Sequence, residues 1–351
     1  MATHKRRPTI IDIAKKAEVS FKTVSRVLNE NPRVGAELRG RVLKAMAELD
    51  YQPNLAARTL AGRRGYAVAL LVDQTEFFRE GDANAYFSPY LVDLQAGALI
   101  ACREQGYHFF VEPYDFTAKN WPHALRAQLS RIALDGVMLA PPSADRVKLL
   151  DALDDLGVPY VRFAPGLEPD RSSSVASDEY GGARAMAEHL IGLGHRRIGL
   201  VGGPEDHIAA AVRVVAFREA AEGRAQLLFQ PGDFTFEGGL AAGEALLAMA
   251  DPPSAIFATN DFMAAGVVTA ATRRGLKVPA DISIAGFDDS AVVRFLWPPL
   301  TTVRQPIRKM AGAAVEYLIA QASGAELPER HAELASELVV RASTGPVGAR
   351  G

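Results

Sequence analysis

The chain has 351 residues, 48% of them hydrophobic and 23% charged, a length and mix that point to two or three globular cores. Its formal net charge of -2 divides unevenly: residues 1–65 carry 14 Lys and Arg against 6 Asp and Glu, and the remainder carries 25 against 35. No apolar run approaches the roughly 18 residues of a membrane span, the single Cys102 excludes an intrachain disulfide, and MATHKRRPTIID holds no apolar signal core, so a non-secreted protein of a reducing compartment is expected.

A basic head on an acidic body is the charge pattern of a nucleic-acid binder, because displacing counterions from phosphates needs clustered positive charge. A solvated tail would give the same count, but this head also has helical periodicity. Thr9-Ile-Ile-Asp12 has the spacing of a capping box and opens a first helix through IAKKA. After a turn at Glu18-Val19, Ser20 is placed to cap a second helix, which Asn29-Glu-Asn-Pro32 ends. On that helix Val24, Val27 and Leu28 form an apolar stripe at i, i+3 and i+4. Lys22, Ser25, Arg26 and Asn29 form a second stripe without an acid. Pro32 and Gly35 then break the chain before AELRGRVLKAMAEL, where Leu38, Val42, Leu43, Met46 and Leu49 are expected to make one apolar face.

Two short helices joined by about three residues and braced by a third make a helix-turn-helix. Its second helix enters the major groove, where Lys and Arg pair with guanine edges or phosphates and Asn pairs with adenine. Phe21, at the boundary, either meets a thymine methyl or joins the core.

From Tyr66 onward short apolar strands alternate with amphipathic helices. YAVALLV, YHFFVEPY, DGVMLAPP and VPYVRFA read as one parallel sheet, and RRIGLVGG, SAIFATND and DISIAGFDD as a second. Ligands of such doubly wound sheets bind at the carboxyl ends of the strands. There Asp288 closes SIAGFDD, Asn260 and Asp261 close AIFATND, Arg213 opens the helix after GGPEDHIAAAV, and Gln305 follows LTTVR. Acceptors and donors paired around a concave site suit sugar hydroxyls, while Phe234 or Tyr86 and Phe87 could cover an apolar ring face. Asp261 reads equally as a helix N-cap and Asp289 as a turn residue, so Arg213 with Asp288 is the strongest pair.

Enzyme signatures are missing from the sequence: no Gly-x-Gly-x-x-Gly follows a strand, and there is no Walker loop, Gly-x-Ser-x-Gly elbow or metal-spaced Cys/His cluster. No catalytic residue, metal or cofactor is expected. His189 and His195 read as capping or packing residues, and Cys102 as a buried structural one.

TIIDIAKKAEVSFKTVSRVLNENPRV, followed by AMAELDYQPNLAARTLAG, closely resembles the lactose-repressor (LacI/GalR) family of bacterial transcription regulators. The resemblance continues through GHRRIGLVGGP, ATNDFMAAG, VPADISIAGFDDS and PPLTTVRQPI and covers almost the whole chain. It implies an all-α helix-turn-helix DNA-binding domain over residues 1–52, a hinge helix and linker over 53–65, and an α/β two-lobed domain of the periplasmic-binding-protein type over 66–351. The chain should cross between the lobes three times, and the lobes should close on a small molecule.

The candidate DNA contacts are Thr9, Ser20, Phe21, Lys22, Thr23, Ser25, Arg26 and Asn29 in the head and Asn54, Arg58 and Leu60 in the hinge. Leu60 matches a leucine wedge in the minor groove, and an apolar side chain there can partly unstack a base step. A plain linker is the alternative, since Gly62-Arg-Arg-Gly65 follows. The effector contacts carried over are Arg213, Phe234, Asn260, Asp288 and Gln305, with Tyr86, Phe87 and His207 beside them.

Three departures blur this transfer. The loop DQTEFFREGDANAYF is longer than usual, so Phe77 and Phe78 compete with Tyr86 and Phe87 for the wall position. AAEGRAQLLFQPGDF looks shorter than in relatives, and His207 and Ala209 stand where some relatives use larger polar contacts.

The expected protein is a bacterial, cytoplasmic and nucleoid-associated homodimer (a tetramer is the alternative) that represses transcription from double-stranded operator DNA. Its effector would be a sugar of a carbohydrate catabolic pathway, with a nucleobase or nucleoside as the alternative. The rival from another class is a periplasmic-type sugar-binding protein without a regulatory role, which would not bind duplex DNA.

Overall fold

The computed structural model describes residues 8–28, 33–51, 64–74, 88–205, 207–326 and 329–347. The hinge candidates Asn54, Arg58 and Leu60, and likewise Asn29, Phe77, Phe78, Tyr86 and Phe87, lie outside the described residues.

In the head, α1 (Ile10–Lys16), α2 (Phe21–Leu28) and α3 (Ala36–Glu48) enclose a small core of Ile13, Val24, Val27, Val42, Ala45 and Tyr51. The capping box forms: Asp12 N–H donates to the Thr9 hydroxyl oxygen and Thr9 N–H donates to Asp12 Oδ2 at 2.8 Å. The end of α1 is closed from α3, where Arg41 donates Nε and Nη2 to the Ala17 carbonyl at 3.1 and 2.6 Å. The apolar face expected of α3 is narrower than its sequence suggests. Val42 and Ala45 are buried and Met46 and Leu49 pack beside them, whereas Leu43 is 52% exposed. One helical residue is a 100° rotation, so Leu43 cannot share the direction of Val42.

The first lobe of the body begins with β1 (Ala67–Asp73), α4 (Pro89–Glu104), β2 (His108–Tyr114), α5 (Trp121–Leu129), β3 (Gly136–Leu139), α6 (Val147–Leu156), β4 (Tyr160–Phe163) and β5 (Ser173–Ser177). The second lobe follows as α7 (Glu179–Gly192), β6 (Arg197–Val201), α8 (Ile208–Ala221), β7 (Gln226–Gln230), α9 (Phe236–Leu247), β8 (Ala255–Ala258), α10 (Asp261–Arg273) and β9 (Ser283–Ala285). The chain then runs through β10 (Thr302–Arg304), returns with α11 (Ile307–Ser323) and β11 (His331–Leu334), and leaves again through β12 (Glu337–Val339).

Strand orders are β11-β5-β4-β3-β1-β2 and β7-β6-β8-β9. The chain therefore crosses between lobes at Ser177–Glu179, at Arg304–Ile307 and at Leu334–Glu337, as expected, and β10 pairs antiparallel with β12 beside the junction.

Strand β8 shows why both faces of the second sheet are covered. Ala255 and Phe257 pack with α7 and α8, while Ile256 and Ala258 pack with α9 and α10, the period of two that a strand imposes. His195 fastens the sheet to the end of the chain. Its Nδ1 lies 2.9 Å from Ser254 Oγ, and its Nε2 lies 3.1 Å from both Ser283 Oγ and the Gly345 carbonyl. Burial holds its pKa below the ordinary histidine value. His189 packs similarly, with Nε2 2.9 Å from Thr344 Oγ1. Among the described residues no helix is long and apolar enough to cross a membrane.

Candidate functional site

Two surfaces carry the candidate residues. On α2, Val24 and Val27 turn inward while Lys22 and Arg26 are exposed, so the stripe of donors faces solvent. Ser20 caps the helix by accepting from Thr23 N–H at 3.1 Å, and its hydroxyl lies 2.9 Å from the Thr23 hydroxyl. Phe21 is 56% exposed and does not join the core, which leaves the base-contact alternative. Thr9 has its hydroxyl engaged with Asp12 Oδ2 at 2.7 Å, so it serves the cap first.

The second surface lies where the crossing segments meet the carboxyl ends of β8 and β9. Arg213 is not at the opening of its helix, as its sequence position suggested. It lies in the second turn of α8 and is buried. Its Nε donates to Glu179 Oε2 at 2.6 Å, its Nη1 donates to the Thr259 carbonyl at 2.6 Å, and Nη1 lies 3.5 Å from Asp288 Oδ1. The guanidinium plane rests on the Phe287 ring, 3.9 Å from its centre. Burial opposes the charge on Arg213, but the anions of Glu179 and Asp288 outweigh it and raise its pKa.

Asp288 is reached through strain. Its φ of 115° lies where residues with a Cβ are rarely found, and it is held by its N–H donating to the Val303 carbonyl at 2.8 Å. Gln305 Nε2 donates to Asp288 Oδ1 at 2.7 Å. Burial, opposed by Arg213 and reinforced by Glu179, raises the Asp288 carboxyl to about 7. Behind it, Asp261 accepts from Thr302 Oγ1 at 2.6 Å and from Ser290 N–H at 2.7 Å, and burial with the Asp288 charge raises its pKa as well.

Ser177 joins two of the crossings. Glu179 Oε1 and Gln305 Oε1 each lie 2.7 Å from its hydroxyl, whose one hydrogen serves one of them at a time.

The apolar wall is Phe234, with φ 66°, and His207 meets it edge-on with ring centres 4.9 Å apart. Gly203 is required there, since a Cβ would lie 2.6 Å from the Phe234 ring. The lobes touch at Gly166 and Ile208, where an added Cβ would lie 1.8 Å from the Ile208 side chain.

Arg213, Asp288 and Gln305 thus form one network, with Phe234 and His207 beside it. Asn260 is a correction in part: it is the N-cap of α10, a role the sequence suggested for Asp261. Its Oδ1 accepts from Met263 N–H at 2.8 Å and its Nδ2 donates to the Phe234 carbonyl at 3.0 Å, so its amide orders the wall. Asp289 is more than a turn residue, accepting from Arg304 and Arg341 at 2.7 and 2.5 Å.

Three neighbours escaped the sequence reading: Ser177, Glu179 and Tyr90. Tyr90, at the start of α4 in the first lobe, has its pKa raised by burial and then by the Glu179 charge. The available signal was Asp178-Glu179, an acidic pair at a helix start after a strand of small residues. Among the described residues no group of His, Cys, Asp or Glu could hold a metal ion.

Known proteins resemble this chain in both of its parts. Residues 9–54 match the family model for bacterial regulatory proteins, lacI family, and residues 187–344 match that for a periplasmic binding protein-like domain. The transcriptional regulator CelR of Thermobifida fusca is 34% identical over 345 residues, covering 97% of this chain and 99% of the relative. The transcriptional repressor PurR of Aliivibrio salmonicida is 31% identical over 340 residues, covering 95% and 98%. Among solved structures, a CelR–cellobiose complex is similar with a TM-score of 0.70 at 32% identity, covering 96% of this chain and all of that one. A lac repressor dimer bound to operator and an anti-inducer has a TM-score of 0.73 at 28% identity, covering 97% and 100%.

Proposed function

We propose, on the premise that this chain belongs to the lacI family of bacterial regulatory proteins, that it is a repressor whose operator affinity is set by a sugar held between its lobes. The chain is a DNA-binding transcriptional regulator with an effector-binding domain. The observation that carries the effector reading is the network of Arg213, Asp288, Glu179 and Gln305, which joins the second lobe to the crossing segments at the strand ends. A ligand bonded to this network and to Tyr90 would favour one lobe arrangement over another, and a regulator responds only to such differential binding.

The sugar reading is supported by the relative captured with cellobiose, and the nucleobase alternative by the relatives named PurR. The DNA reading rests on Lys22 and Arg26 as exposed donors on α2, with Ser25, Thr23 and Phe21 beside them, and carries Leu60 over from the family resemblance as a hinge wedge. Domain limits of 1–52, 53–65 and 66–351 belong to the same reading; the family matches at 9–54 and 187–344 overlap its two ends. A homodimer, with half-sites related by the same two-fold axis, is supported by the operator-bound lac repressor dimer. A cytoplasmic, nucleoid-associated location is part of the same proposal, since a repressor must reach its operator.

The test is a thermal-shift screen against sugars, nucleobases and nucleosides, since a specific ligand stabilises by mass action. Each hit is then added to a complex with duplex operator selected from a random library. A hit that shifts operator affinity supports the reading. Specific duplex binding with no responsive ligand would leave a constitutive regulator, and failure to bind any duplex specifically would favour a binding protein without a regulatory role.

A further inference from the structure

We infer that Asp135 is a positioning residue for operator recognition: its carboxylate fixes the point and direction from which the chain leaves the body towards the DNA-binding head. The inference concerns operator binding alone and is independent of the effector and its site.

The head of residues 9–51 is joined to the body by a single stretch of chain, so its reach depends on where that stretch is held. The hold lies just before β1. Gly65 N–H donates to Asp135 Oδ1 at 2.9 Å and Tyr66 N–H donates to Asp135 Oδ2 at 2.8 Å, so two successive amides converge on one carboxylate. Hydrogen bonds to a carboxylate are roughly twice as strong as neutral ones, and Asp135 is buried, which keeps water from competing for them. Its own N–H donates to the Ala67 carbonyl at 2.8 Å, where the parallel pairing of β1 with β3 begins.

The residues on both sides are shaped to this joint. A Cβ on Gly65 would lie 1.4 Å from the Ala133 carbonyl oxygen, so only glycine passes there. Tyr66 has φ 51°, in the left-handed region that a residue with a Cβ enters only when held, and Asp135 holds its N–H. Gly136, next in the chain after Asp135, admits the Leu318 side chain of α11, which stands 2.5 Å from where a Cβ would be. A kinked, close-packed joint bonded twice to one side chain fixes a direction. A plain connector would need none of these features.

Length alone would not make Asp135 matter. Opening the joint adds two residues to the thirteen of residues 52–64, and by length alone this dilutes the second head of a dimer by only about 1.2-fold. Direction counts for more, because two heads must meet half-sites whose separation and rotation are both fixed by the double helix. One base pair between the half-sites changes the separation by about 3.4 Å and the rotation by about 35°. A fixed origin makes binding sensitive to that change, and a loose origin makes it tolerant.

The experiment is gel-shift titration of the full chain, in matched salt, on the operator selected from the random library. The same duplex with one base pair added or removed between its half-sites is titrated beside it. Wild type should lose at least about 30-fold in affinity with either change. Asp135→Ala should shrink that penalty by at least about 5-fold, and Gly65→Ala, which displaces the same joint without changing a charge, should do likewise. The double variant should go no further than the single ones, because both open one joint. Asp135→Asn keeps an acceptor for one of the two amides and should fall between wild type and Asp135→Ala. Melting curves establish which variants are folded, and where Asp135→Ala is not, the milder Asp135→Asn is read by the same criterion. A spacing penalty equal to wild type in the folded variants, whatever their melting temperatures, would overturn the inference and leave Asp135 a residue of stability alone. A wild type that binds all three spacings alike would overturn it as well, since no direction would then be fixed.

Discussion

Arg213 and Glu179 form an ion pair at 2.6 Å, both inside the second lobe and both nearly without solvent. Neither is tolerable alone at that depth, because an unmatched buried charge has lost its hydration without a replacement. Arg213→Ala should therefore cost the body about 3–5 kcal/mol, as breaking a buried pair does. Urea unfolding followed by tryptophan fluorescence reads it, since Trp121 and Trp297 are both in the body. A loss below about 1 kcal/mol would mean that the pair is solvated and weak.

The Asp288 carboxyl sets a pH dependence. Its pKa in the folded protein, about 7, exceeds the ordinary 3.8, so between those values the folded state binds the extra proton. Stability from this group is therefore greatest below about pH 4, declines as pH rises towards 7 and is flat above it. Urea midpoints at pH 5, 6, 7 and 8 should show wild type losing stability relative to Asp288→Asn up to pH 7. Parallel profiles would remove Asp288 as the source.

His195 has the opposite sign. Burial lowers its pKa, so its neutral form belongs to the folded state and the contribution fades as pH falls below about 6.5. His195→Ala removes its contacts to Ser254, Ser283 and the Gly345 carbonyl and opens a buried space, while Ser254 still donates to the Arg197 carbonyl and Ser283 to the Gly345 carbonyl, so the loss should be about 1–3 kcal/mol in all. Stability should fall while sugar affinity holds. Lost affinity at unchanged stability would contradict its packing role.

On the head, Arg26→Ala should weaken operator binding by about 1–3 kcal/mol, and Lys22→Ala should lower the salt dependence if its contact is to phosphate. Neither substitution opens the core, since both side chains are exposed. Gel-shift titrations at two salt concentrations give both quantities. Wild-type affinity for Arg26→Ala in matched salt would mean that α2 does not read this operator.

Much of the fold was legible because its signals are local. The stripe of Val24, Val27 and Leu28 and the capping box at Thr9 need only neighbouring residues, and the buried parallel strands announce themselves as apolar runs. Strand β5 did not, because Ser-Ser-Val-Ala-Ser is mostly small and hydroxylated, and β10 and β12 are three residues each. The site divides in the same way. Arg213, Asp288 and Gln305 stood out at strand ends, but Glu179 and Ser177 belong to the site only because the crossing at residues 177–179 returns beside α8. Tyr90, whose phenol responds to the Glu179 charge, belongs to the other lobe. That proximity is tertiary and leaves no periodic trace in the sequence.

The most direct test is the operator affinity of the full chain, with and without the sugar identified by the thermal-shift screen, for wild type and Asp288→Ala. Wild-type affinity should shift with the sugar. The variant should bind operator as wild type does without sugar and should not respond, and the direction of the wild-type shift reports whether the sugar releases or recruits the repressor. A variant that responds at the wild-type sugar concentration would contradict the assignment of this cleft as the effector site.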